Sequence, residues 1–346
     1  MRNQQQPRLT GIDLFRGVAI FAVILLHSDE GVTVTSGSWR YLLNFAKFAV
    51  PFFLATSFWL AVGKLLQSPR YPLQQRILKL IRSYLLWTGV YLLYRVGKYL
   101  LLADAEQLQR LQANLWGIIF TGDAFFHLYF MPLLILGIIL LTLLPREQLC
   151  SLKLEQAVTL SLSSTILYQL LIQLNSTWEL QNWGSWQGVG FTWLTWIARS
   201  GAYIAISLTL NHARVRFYFD HSTQGKVWLW LGIFLAVNLV YSPWLPLAFQ
   251  ELARGYSALI LAIFCSRYRF CRQHWVQSLS QCSFGIYLVH LLLVEGGQIL
   301  ENRLLATAFR VNTPSLLLFT LLCLLTSWWL VAVLSYRPLG KIVFRT

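Results

Sequence analysis

An all-α, polytopic bundle of about ten membrane-crossing helices is the fold this sequence predicts, and three observations carry that reading. Apolar windows of roughly 20 residues, the length a spanning helix needs, recur along the whole chain. Of the 346 residues, 56% are hydrophobic and 12% charged, with a mean hydropathy of +0.55, a balance that excludes an ordinary water-soluble globule. The basic residues, finally, concentrate in every second inter-window segment. Hydrocarbon offers the backbone no hydrogen-bond partner, so runs this long and this rich in Leu, Trp and Phe favour helices over barrel strands.

Taken in order, the expected crossings are 10–28, the run TGIDLFRGVAIFAVILLHS; 41–63, which carries FFLATSFWL; and 80–101, opened by Lys79 and Arg82. The fourth, 125–144, holds FHLYFMPLLIL, the fifth is 154–174, and the tryptophan-rich sixth is 189–210. Four more follow at 227–242, 248–265, 282–300 and 314–335. YSPWLP, 241–246, reads as a proline-rich turn between the seventh and eighth. Residues 103–120 space their apolar side chains helically and are expected to lie along the membrane surface.

Charge placement tests the count. With the first segment in the cytoplasm, the inner segments hold Arg2, Arg8, Lys64, Arg70, Arg76, Lys79, Arg146, Lys153, Arg214, Arg216, Lys226, Arg267, Arg269, Arg272, Arg337, Lys341 and Arg345. The outer segments hold only Arg40, Lys98, Arg110, Arg303 and Arg310. That asymmetry is what the positive-inside rule predicts, and it puts both termini in the cytoplasm. A formal charge of +15 is then explained by topology and by contact with anionic lipid headgroups. Basic residues scattered over several loops give no nucleic-acid-binding stripe.

No segment between crossings is long enough to bury a core of its own, so residues 1–346 read as one integral-membrane domain without an internal repeat. The first crossing is of spanning length and no small-residue cleavage site follows it, so it is expected to be retained. The five cysteines show no metal-ligand spacing and read as small apolar residues.

The polar groups inside the crossings are the informative ones. On a helical wheel Asp13, Arg16 and His27 fall within an arc of about 60°, with His27 about 16 Å beyond Arg16 along the axis. Snorkelling to the two interfaces would explain them, but aligned charges within a crossing usually face the bundle interior. Lys79 and Arg82 suit topological anchoring or anion binding equally. His127 and His290 sit among aromatics, where a histidine is more often structural than catalytic. Glu251 and Arg254, three apart, are expected to neutralise each other. Lys47, Arg95 and Arg199 are isolated cations with no role readable from sequence. The tryptophan-rich stretch 177–193 suits an interfacial belt better than a sugar platform.

Five of these stretches together resemble the integral-membrane acyltransferase 3 family, whose members include bacterial O-acetyltransferases for surface polysaccharides. RLTGIDLFRGVAIFAVILLHS is similar to the family's first helix, with Arg16 and His27 in place. FFLATSFWL is similar to its second, with Thr56-Ser57 where Ser-Gly is usual. RILKLIRSYLLW resembles the third-helix arginine pair, with Lys79 as first member and Arg82 retained. FHLYFMPLLIL and SQCSFGIYLVHLLL complete the series, the latter with Phe284, Tyr287 and His290.

What the resemblance implies is transfer of an acyl group, usually acetyl, from cytoplasmic acyl-CoA to a hydroxyl of a glycan or lipid-linked saccharide at the outer side of the cell (inner) membrane. No cofactor is permanently bound and no metal is needed; acyl-CoA is a substrate. His27 is the candidate catalytic base, acting directly or through an acyl-histidine. Arg16, Lys79 and Arg82 are the candidate donor-binding cations, and Asp13, His127, Tyr287 and His290 are supporting or acceptor-side candidates. A transporter or flippase of a lipid-linked sugar or anion is the alternative, since intramembrane Arg and His also mark transport pathways; an inactive family member serving in assembly is a third.

Overall fold

The computed structural model describes residues 9–30, 34, 37–68, 71–178, 185–221, 225–304, 312–336 and 340. Every regular element among them is helical. The helices are α1 (Thr10–Leu25), α2 (Gly37–Ala46), α3 (Ala49–Gln67), α4 (Leu73–Leu101), α5 (Ala105–Ala113), α6 (Leu115–Phe120), α7 (Phe130–Leu143) and α8 (Arg146–Ser151). After them come α9 (Leu154–Trp178), α10 (Ser185–Asn211), α11 (Ala213–His221), α12 (Lys226–Ala236), α13 (Leu247–Cys265), α14 (His274–Leu304) and α15 (Thr313–Ser335).

Each expected crossing falls on a helix, and six helical stretches among the described residues are long and apolar enough to cross a bilayer. The other four expected crossings rest on α1, α4, α10 and α12. At 16 residues α1 rises only about 24 Å, and α12 has 11 residues before a π-helical turn over Val237–Tyr241. Among the cations invoked for topology, Arg2, Arg8, Arg70, Arg310, Arg337, Lys341 and Arg345 lie outside the described residues.

Local chemistry explains where the expected boundaries move. The second crossing is two helices rather than one, broken at Lys47–Phe48. Pro51 has no N–H to donate and its ring collides with the carbonyl four residues back, which is that of Lys47. Lys47 therefore stands exposed at a break within the candidate span Gly37–Gln67. The expected surface helix over 103–120 is likewise two pieces. Asp104 caps α5 by accepting from the Gln107 N–H at 3.1 Å, and Asn114 ends it, donating from Nδ2 to Asp123 Oδ2 at 3.0 Å.

The described chain divides into two compact units. One comprises the residues up to Thr56, Phe217–Leu245 and the residues from Gln250 onward; the other comprises Ser57–Arg216 and Pro246–Phe249. In the first, α1 packs against α14 and α15. Asp13 meets Ser280 near one end of α1, and His27 meets His290 just past the other, so α1 and α14 run in the same direction. Close approach rests on glycine: a Cβ on Gly255 of α13 would lie 2.6 Å from the Pro51 carbonyl oxygen, and one on Gly297 of α14 would lie 2.9 Å from the Phe319 ring. Lipid tails give helices no hydrophobic reason to associate, so small residues that admit dense contact carry the packing.

The second unit is organised by α9 against α10 and by α7 against α10 and α4. Gly137 leaves room for Phe58 and Ser200, and Asn211 Nδ2 donates to the Trp59 and Ser207 carbonyls. Arg146 donates from Nε and Nη2 to the Leu65 and Leu66 carbonyls at 2.9 and 3.0 Å, capping the C-terminal end of α3, where a cation is favoured.

Gly255→Ala tests the packing account. Alanine improves helix propensity by about 1 kcal/mol, but forcing a methyl against a backbone carbonyl costs about 1–3 kcal/mol. The expected result is a lower thermal midpoint of the purified protein in detergent.

Candidate functional site

The candidate residues of the first unit lie at two levels of the α1–α14 pair. At the first level, Asp13 is 5% exposed, and its Oδ1 accepts a hydrogen bond from the Ser280 hydroxyl at 2.7 Å. Asp13 also sits in the first turn of α1, where the helix dipole favours an anion. A cavity of about 220 Å³ opens beside it, walled by Leu14, Gly17, Val18 and Phe21 of α1 and by Trp275, Val276 and Leu279 of α14. Arg16, one turn along α1, is half-buried.

At the second level the chain leaves α1 through a turn over residues 26–30, and that turn presents the candidate base. His27 Nδ1 lies 2.7 Å from Glu30 Oε1, with side-chain exposures of 18% and 42%. The His27 ring stands 5.6 Å from the ring of His290, tilted by 37°. His290 is fully buried and its Nδ1 lies 2.7 Å from the Tyr287 carbonyl oxygen, which can only accept, so Nδ1 carries the hydrogen. The Tyr287 ring lies 6.0 Å from that of His290.

Neighbouring contacts hold the turn in place. Gln298 Nε2 donates to the Glu30 carbonyl at 3.1 Å, and Trp39 Nε1 donates to Asp29 Oδ2 at 3.0 Å. The hydroxyls of Ser28 and Thr320 are 2.7 Å apart, both fully buried.

Within the second unit, His127 lies in a 3₁₀ turn over Phe126–Tyr129. Its ring is 3% exposed and meets Tyr91 edge-on at 4.9 Å and Phe125 at 5.7 Å. Arg95 Nη1 donates to the Asp123 and Ala124 carbonyls at 3.0 and 3.2 Å, which ties down the turn leading to His127. Gly122, at φ +82°, allows that turn. Lys79 and Arg82 both lie exposed on α4.

The structure thus brings His27, His290 and Tyr287 together and sets Asp13 about 20 Å away along α1. His127 belongs to the other unit, as do Lys79 and Arg82. Sequence reading missed Glu30, Ser280 and Gln298. Glu30 follows the end of the expected first crossing, where the helical wheel no longer applies, although its spacing of three from His27 was a usable signal. Two other residues singled out in the sequence make described contacts. Arg254, 4% exposed, donates from Nη2 to Asn44 Oδ1 at 3.1 Å. Of the stretch 177–193, residues 179–184 lie outside the described residues, while Trp193 Nε1 donates to the Phe120 carbonyl at 3.1 Å.

A multi-pass helical membrane protein carrying two histidines against each other on parallel helices is the class these features define. The chain matches the acyltransferase domain of the acyltransferase 3 family over residues 9–334, and it belongs to that family. It is also similar to an amino-acid racemase of Enterococcus faecalis, with 32% identity over 154 residues. That alignment covers 40% of this chain and 20% of the racemase, so the chain spans about a fifth of that relative's length. No solved structure matches.

Ser280→Ala tests the first level. Removing a hydrogen bond to a buried carboxylate costs about 1.5–3 kcal/mol, so the variant should unfold at lower temperature in detergent than the parent.

Proposed function

We propose that this protein transfers an acyl group, acetyl in the simplest case, from cytoplasmic acyl-CoA to a hydroxyl of a glycan or lipid-linked saccharide at the outer side of the cell membrane. Membership of the acyltransferase 3 family supports acyl transfer. The observation that carries the rest is His27: a half-buried imidazole just past the end of an apolar helix, beside a second, wholly buried imidazole.

The chemistry needs such a group. A sugar hydroxyl is a weak nucleophile near neutral pH, and imidazole is the side chain best placed to take its proton as the thioester carbonyl is attacked. In the proposed reaction the hydroxyl oxygen bonds to the acyl carbon, the C–S bond breaks, and an ester and a coenzyme A thiolate form. The proton held on His27 neutralises the thiolate. Arg16 in the first unit is proposed to bind the donor's phosphates, a role proposed separately for Lys79 and Arg82 in the second, since guanidinium and ammonium groups suit phosphate oxygens. Asp13, Tyr287 and His290 support the α1–α14 pair in this scheme, and His127 shapes the acceptor side.

The test is mass spectrometry of surface glycans and lipids from cells with and without the gene, paired with transfer from labelled acetyl-CoA in membrane vesicles. A missing acyl mass and labelled acceptor are expected; movement of a lipid-linked sugar with no acyl transfer would establish the transporter alternative instead. His27→Ala should lower kcat by about 10²–10⁴-fold in protein that remains folded. Arg82→Ala should chiefly raise the donor KM, the sign of lost ground-state binding.

A further inference from the structure

We infer that Glu30 is the positioning carboxylate of His27: it fixes which ring nitrogen carries the hydrogen and stabilises the ring when it takes a proton. This rests on the proposed role of His27 as base. An ionised carboxylate has no hydrogen to give, so the 2.7 Å contact requires Nδ1–H to donate to Glu30 Oε1. The other nitrogen, Nε2, then holds the lone pair that a base needs. Proton transfer to Nε2 makes an imidazolium whose new charge lies one hydrogen bond from the carboxylate. The same division of labour orients histidine in hydrolytic triads.

Three features separate this pair from an incidental surface contact. Glu30 reaches back three residues across a turn rather than along a regular helix, so the contact exists only while that turn keeps its shape. The turn is secured from two other helices, by Gln298 of α14 on the Glu30 carbonyl and by Trp39 of α2 on the Asp29 carboxylate. Glu30 is also far more exposed than His27, 42% against 18%, so the carboxylate stays hydrated while the ring it orients is sheltered. Other ionisable groups on the turn and the helices around it include Asp29 on the same turn, Arg40 on α2, Arg254 of α13, which bonds Asn44 of α2, and His290, Glu295 and Glu301 on α14; α15 carries no carboxylate, imidazole or basic side chain.

Glu30→Gln keeps the length and one acceptor oxygen of the side chain but removes the charge, so either imidazole tautomer finds a partner in it. In ¹⁵N-histidine spectra of the protein in lipid bilayers, with His27 assigned by comparison with His27→Asn, the parent should show a single Nδ1–H tautomer. Glu30→Gln should show a mixture of tautomers. With labelled acetyl-CoA in membrane vesicles, kcat of Glu30→Gln should fall by about 10- to 100-fold while the donor KM stays within about twofold. Glu30→Asp, which restores the charge, should recover the single tautomer and most of the rate; it also serves if the glutamine variant fails to fold. An unchanged tautomer in Glu30→Gln, or a changed tautomer with parental kcat, would overturn the inference while leaving the base role intact. Normal turnover by His27→Ala would instead remove the base role itself.

Discussion

The α1–α14 pair is the constraint on which the candidate site depends, and the hydrogen bond from Ser280 to Asp13 is what fixes its register. A carboxylate that is 5% exposed must keep its donor, because a buried anion without one costs several kcal/mol. Sliding α14 by one residue would rotate Ser280 by about 100° and break that bond. It would also carry His290 off the face that meets His27. That contact, together with Gln298 of α14 on the Glu30 carbonyl, holds the register in which the two rings meet about 20 Å farther along the bundle.

Glycine makes that geometry available. With lipid on the outside, helices gain little by hiding apolar surface from each other, and association relies on dense contact and satisfied polar groups. Gly17 lets α1 approach Leu279 one residue from the Asp13 partner, Gly297 admits Phe319 of α15, and Gly255 brings α13 onto the Pro51 carbonyl. These positions have no chemistry of their own. They set how near the polar groups can come.

Much of this was legible in the sequence, and what was not has identifiable causes. Long apolar runs located the helices, because bilayer thickness and helical rise leave little freedom in span length. The arc joining Asp13 to His27 was readable from periodicity, and α14 confirms it by meeting both residues. The break at Lys47 was readable in principle from Pro51, but hydropathy is blind to a missing N–H. The pairing of His27 with His290 lay beyond any local rule, since it depends on two helices far apart in the chain choosing one register. Glu30 escaped for a different reason: α1 ends at Leu25, so both His27 and Glu30 sit on a turn, and their pairing across it is not a helical-wheel relation.

The polar groups within and at the ends of the helices divide by what they do for the fold. Arg95 and Arg146 each donate to two backbone carbonyls, Asn211 ties α10 to α3, and Arg254 meets Asn44. Those contacts satisfy acceptors that hydrocarbon would leave bare, so stability alone accounts for them. His27 with Glu30 is different. A partly exposed contact between an imidazole and a carboxylate stabilises a fold by at most about 1 kcal/mol, so stability alone gives this pair little weight. The proposed base role gives that imidazole a purpose the fold alone does not, a proton to accept and return, and the inferred role of Glu30 is to decide at which nitrogen.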